Sequence, residues 1–143
     1  MTPSRSGSSG LALAGLAVVL SWALLGATAA SLQVVVTVPN DVRVGDRAVL
    51  VVDVALPKGA LGPLLVTPRA LGGAVEVVRG RLMRSDALKG EHPEDSLRFH
   101  VPIVARSPGT ALIRVHVAAY VCEDRCRAVE VEVQRSVLVV EGS

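Results

Sequence analysis

The chain has 143 residues, half of them hydrophobic, with a formal net charge of +2 and only one Phe, one Trp and one Tyr. Acidic and basic residues are interspersed, so the basic stripe and stacking aromatics of a nucleic-acid surface are absent. Beyond an N-terminal segment of about 30 residues there is room for one domain, long enough to bury a core without metal or several disulfides.

That segment comes first. Arg5 sits in a short polar stretch, Leu11 to Gly26 is almost unbroken Leu, Ala and Val, and small residues follow in Gly26-Ala27-Thr28-Ala29-Ala30. This is the order of a secretion signal, predicted as a helix over residues 1–29. Ala27 and Ala29 supply the small side chains for signal peptidase, so cleavage is expected after Ala29, with Ala30 the second choice. No cysteine follows, which argues against a lipoprotein. As a helix, Leu11 to Ala30 would reach about 30 Å, the thickness of a bilayer core, so an uncleaved anchor is the alternative and the leader the one expected membrane contact. Either fate puts residues 30–143 in the periplasm or outside the cell, where disulfides persist.

From Ser31 onward valine-rich runs recur between Gly, Pro, Asn and Asp clusters with no sustained helical period. Leu32 to Val38 is the first expected strand, closed by Pro39-Asn40-Asp41. Ala48 to Leu56 is the second, preceded by Val44-Gly45-Asp46 and closed by Pro57-Lys58-Gly59. Leu64 to Thr67, between Pro63 and Pro68, suits an edge or sheet-switching strand. Val75 to Met83 is a fourth strand of poor alternation. Ser85 to Ser96 is polar and reads as a loop of a dozen residues. Leu97 to Ala105, Leu112 to Tyr120 and Val129 to Val140 complete an all-β, antiparallel sandwich of about seven strands.

The last two strands alternate most cleanly. Ile113, Val115, Val117 and Ala119 face one way and Arg114, His116 and Tyr120 the other; Val129, Val131 and Val133 then alternate with Glu130, Glu132 and Gln134. If Cys122 faces Cys126 across Glu123-Asp124-Arg125, one register sets Ala119, Val117 and Val115 opposite Val129, Val131 and Val133. It also pairs His116 with Glu132 and Arg114 with Gln134. Directly opposed residues lie close enough for a Cys122–Cys126 disulfide. So short a loop gains only roughly 2 kcal/mol from closure, so global stability is a weak reason for the bond. Two readings stay open: a staple that fixes the tip, which is preferred, or a pair that exchanges electrons with a partner.

Other chemistries find little support. A structural zinc site needs two more ligands, and His116 lies about 20 Å from Cys122 along the strand; His92 and His100 read as solvent-facing. Glu123 and Asp124 would raise a cysteine pKa while Arg125 and Arg127 oppose them. No nucleophile elbow, paired carboxylates or phosphate loop marks an enzyme, and no cofactor is expected.

Leu97 to Val140, with Phe99, Val101-Pro102, Gly109, Tyr120-Val121-Cys122, Cys126 and the closing valine-rich strand, resembles the N-terminal periplasmic domain of the bacterial thiol:disulfide interchange protein DsbD. The resemblance implies an immunoglobulin-like sandwich in which Cys122 and Cys126 match a redox pair and Tyr120 the aromatic before it. It also implies a thioredoxin-like oxidoreductase as partner. The residues themselves favour an exported, non-catalytic interaction or accessory module with a periplasmic protein partner. Thiol-disulfide exchange is the sharper rival, and an envelope-structural or adhesive domain a third reading.

Overall fold

The computed structural model describes residues 32–60, 62–89 and 96–142. The leader, Ala29 and His92 lie outside the described residues. Among the described residues nine strands run in chain order: β1 (Gln33–Thr37), β2 (Val42–Arg43), β3 (Arg47–Ala55), β4 (Leu64–Leu71), β5 (Val75–Val77), β6 (Leu82–Met83), β7 (Ser96–Ala105), β8 (Gly109–Cys122) and β9 (Cys126–Val140). They form a four-stranded sheet, β1-β3-β7-β5, and a five-stranded sheet, β2-β9-β8-β4-β6. All pairs are antiparallel except β2 with the end of β9.

Period-two alternation decides which side chains enter the space between the sheets. Leu50, Val52 and Val54 of β3 and Phe99, Val101 and Ile103 of β7 enter it from one side; Ile113, Val115 and Val117 of β8 enter from the other. Phe99, the one phenylalanine, is fully buried. The β3–β7 register sets Asp53 opposite Arg98, whose guanidinium donates to both carboxylate oxygens at 2.7 and 3.3 Å on the outer face. Before β3, Asp46 and Arg43 close a turn through which Gly45 passes at φ 92°.

Three expectations need correction. Val75 to Met83 is not one strand: β5 belongs to the four-stranded sheet and β6 to the five-stranded one, because the chain crosses between the sheets at Val78-Arg79-Gly80-Arg81. This is the sheet-switching segment that the prolines suggested for Leu64 to Thr67. That segment opens β4, which continues through Pro68 to Leu71 between β8 and β6. Pro68 is tolerated because β6 covers only Leu65 and Val66, leaving the strand an edge from Thr67 on. The polar segment after Met83 begins with a single 3₁₀ turn, Arg84–Asp86, and the short β2 had no counterpart in the sequence reading.

Candidate functional site

The β8–β9 register is the one the alternation required: Cys122 opposite Cys126, Ala119 opposite Val129, Val117 opposite Val131 and Val115 opposite Val133. Cys122 and Cys126 are joined by a disulfide with their Cα atoms 4.0 Å apart. Being even-numbered, both sit on the outer face with Tyr120, while Val121 turns into the core. Glu123, Asp124 and Arg125 form the exposed tip, where the Glu123 N–H donates to the Arg125 carbonyl at 3.3 Å.

On the outer face the ion pairs run diagonally rather than straight across. His116 is registered opposite Glu132 and Arg114 opposite Gln134, yet Arg114 approaches Glu132 at 3.6 Å and His116 approaches Glu130 at 3.7 Å. Diagonal neighbours are within reach of long side chains on a twisted pair. Arg69 of β4 lies directly opposite Arg114, like charge against like, and with Thr67 and His116 they line a shallow hollow of about 400 Å³. His100 stands on the four-stranded sheet, so it and His116 do not converge.

What the sequence reading missed is how the tip is held from the β4 side. The Cys122 N–H donates to the Gly59 carbonyl at 2.8 Å, so the turn at Pro57 to Ala60 is pressed against the base of the disulfide. Gly59 has φ 82°, and a Cβ there would collide with the Cys122 carbonyl oxygen. Only glycine satisfies both the backbone conformation and that approach. Arg84 grips the same turn, donating from Nη2 to the Ala60 carbonyl at 2.7 Å and from Nε to the Gly62 carbonyl at 2.9 Å. Arg84 is placed in turn by Asp86, which accepts from the Met83 N–H at 2.8 Å and from Arg79 at 2.7 Å. Those two donors, the backbone N–H first, hold the Asp86 carboxyl below its ordinary range. The one local signal was the turn Pro57-Lys58-Gly59; nothing near it in sequence points to Cys122 or Arg84.

Beside this supported tip is an apolar hollow of about 260 Å³ on the outer face, lined by Pro63, Leu65, Met83, Ala118, Tyr120 and Ala128 among others, with Arg81 and Glu130 at its rim. Tyr120 is 50% exposed and Met83 47%. The sequence reading had Tyr120 but not Met83 or Leu65, because β6 reaches β4 only after the crossing between sheets. The arrangement offers a rigid, partly apolar contact surface next to an accessible disulfide. Among the described residues, no His, Cys, Asp and Glu side chains gather in the threes a metal ion needs.

Two sheets, antiparallel except where β2 joins β9, close on one apolar core as an immunoglobulin-like β-sandwich. No protein-family model and no curated protein matches the chain. Among solved structures it is similar to trypsin-activated alpha-2-macroglobulin from Escherichia coli, at TM-score 0.56 and 17% identity over 77% of this chain. The native conformation of the same E. coli protein gives TM-score 0.54 and 15% identity over 79%. A cohesin module of a family 33 glycoside hydrolase from Clostridium perfringens gives TM-score 0.51 and 12% identity, covering 79% of this chain and 99% of the module. The chain spans 7% of the length of the E. coli macroglobulin chains it matches. At these identities the likeness is one of fold.

Proposed function

We propose that the chain is an exported, non-catalytic interaction module that holds a protein partner on the outer face of its five-stranded sheet, beside the hairpin tip. The observation that carries this reading is the half-exposed Tyr120 over the hollow formed with Leu65 and Met83. Tyr and Met are enriched at protein interfaces, Tyr because it offers a large apolar ring with a polar end. The surface is held still: the disulfide closes the tip, Gly59 supports Cys122 from behind, and Arg84 fixes the turn that carries Gly59. Rigid presentation lowers the ordering penalty of binding. Export rests on the order of residues in the leader and on the disulfide, which is at home outside the cytoplasm.

Site-specific photo-crosslinking in the producing cell tests it. A crosslinker at position 120 should give a discrete protein adduct that disappears with Met83→Asp, and one at Val35, exposed on β1 of the four-stranded sheet, should not. Equal adducts from both positions would overturn the reading.

Thiol-disulfide exchange is the second reading, favoured by the exposure of Cys126 at the tip and by the resemblance around Tyr120 to Cys126. A partner thiolate would attack one sulfur, form a mixed disulfide and release the other cysteine as a thiolate. In the reverse direction the lone Cys122 thiolate of a Cys126→Ser variant would attack the disulfide of an oxidised partner, displace one partner thiolate and stay joined to the other sulfur; failure to capture such a partner under conditions that trap a control oxidoreductase would eliminate this reading.

A further inference from the structure

The edges of the two sheets are very unequal. β1, β5, β6 and β2 offer 5, 3, 2 and 2 residues. β9 has 15, and β2 covers only Val139 and Val140 of them. Native edges are usually shortened, bulged or guarded by lysine and proline. β9 contains neither residue.

The hydrogen-bond phase shows which groups face outward. Cys122 sends its N–H away from β9 to Gly59, so Cys122–Cys126 is a pair without ladder bonds, and the odd-numbered residues of β9 bond to β8. Even-numbered backbone groups must then face the open side. Two observations agree: the Val140 carbonyl accepts from Val44 at 3.0 Å, and the Gln134 carbonyl is capped by the guanidinium of Arg135 at 2.9 Å. Ala128, Glu130 and Glu132 therefore present N–H and C=O groups with no partner among the described residues. Beneath them Val129, Val131 and Val133 are half-buried, packed on the core without the full burial of their β8 partners.

We propose that the open edge of β9 takes up an extended segment of a protein partner as an additional strand, a segment that alternates apolar residues with lysine or arginine. Its backbone completes the free bonds of Ala128 to Glu132. Its apolar side chains cover Val129, Val131 and Val133, and its basic ones join Arg114 and His116 around the exposed carboxylates of Glu132 and Glu130 on the outer face. Two-fold pairing of a second copy about Val131 is disfavoured, because it sets Glu130 against Glu132 and Arg127 against Arg135, like charge on like. The edge borders the Tyr120 hollow but does not depend on it.

The test uses the full chain and two capped peptides, Lys-Val-Lys-Val-Lys-Val-Lys and its counterpart with Glu for Lys. The lysine peptide should slow amide exchange at Ala128, Glu130 and Glu132 by roughly tenfold at saturation while Val129 and Val131, already bonded to β8, change little. It should bind roughly fivefold more tightly than the acidic peptide, a preference lost in Glu130→Gln/Glu132→Gln. Glu132→Pro removes an N–H that bonds nothing in the chain, so it should abolish uptake with Val131 still protected. Tyr120→Ser should leave uptake unchanged, which separates this inference from the hollow. Equal binding of both peptides, protection spread over odd and even amides alike, or protection that appears with chain concentration alone would each overturn it.

Discussion

Replacing Gly59 by alanine tests the support of the hairpin tip, with Gly45→Ala as the matched control. Both glycines have positive φ, 82° and 92°, so both substitutions impose the same backbone strain, about 1–2 kcal/mol. They differ in surroundings: nothing lies within 4 Å of a Cβ at Gly45, whereas at Gly59 it would strike the Cys122 carbonyl. The turn must then withdraw, and the Cys122 N–H loses its bond to Gly59, a further loss of about 1 kcal/mol with more where the group stays buried. Urea unfolding followed by far-UV circular dichroism gives both values. With a slope of about 1–2 kcal/mol per molar for a domain of this size, Gly59→Ala should lower the midpoint by roughly 0.5–1 M more than Gly45→Ala. Equal midpoints would refute the docking of this turn on the disulfide.

Phe99→Ala should destabilise by about 3–5 kcal/mol in the same assay, since its ring fills the centre of the core. Arg69→Gln should raise stability by about 0.2–1 kcal/mol at low salt by removing the like-charge pair with Arg114, a gain that shrinks in high salt. For Asp86, whose folded pKa is depressed by the Met83 N–H and Arg79, the contribution to stability is present above the ordinary value of 3.8 and is lost as pH falls through the lower folded value. The difference between wild type and Asp86→Asn should therefore shrink as pH is lowered through that window, and a constant difference would contradict the assignment. Reduction of Cys122–Cys126 should lower stability by roughly 2 kcal/mol and speed exchange at the Cys122 amide.

The β8–β9 hairpin was legible in the sequence because three local signals coincide: strict alternation, a turn of three polar residues and a cysteine on each side. A shift by one residue would have turned Val115, Val117 and Ala119 out to solvent. The crossing from β5 to β6 was not legible, because Val75 to Met83 is apolar at both ends and only the short Arg79-Gly80-Arg81 stretch parts them. Whether a strand is central or at an edge is set by partners distant in sequence. Hence the prolines around β4 marked an edge that is open only from Thr67 on, and Val129, Val131 and Val133 share the apolar pattern of Val115 and Val117 without their burial. The support of the tip is equally non-local, joining Gly59, Arg84 and Cys122 through backbone atoms that carry no residue-type signature.

The most direct test of the interaction-module reading is the reduction potential of the Cys122–Cys126 pair in the folded chain. The β8–β9 register sets the two cysteines directly opposite each other, and the bond from the Cys122 N–H to the Gly59 carbonyl holds Cys122 from the β4 side. Preorganised thiols favour the disulfide, so a potential below about −300 mV is expected, that of a structural staple. A value between about −270 and −120 mV, where thioredoxin-like oxidoreductases work, would contradict this and make electron exchange the function of the tip.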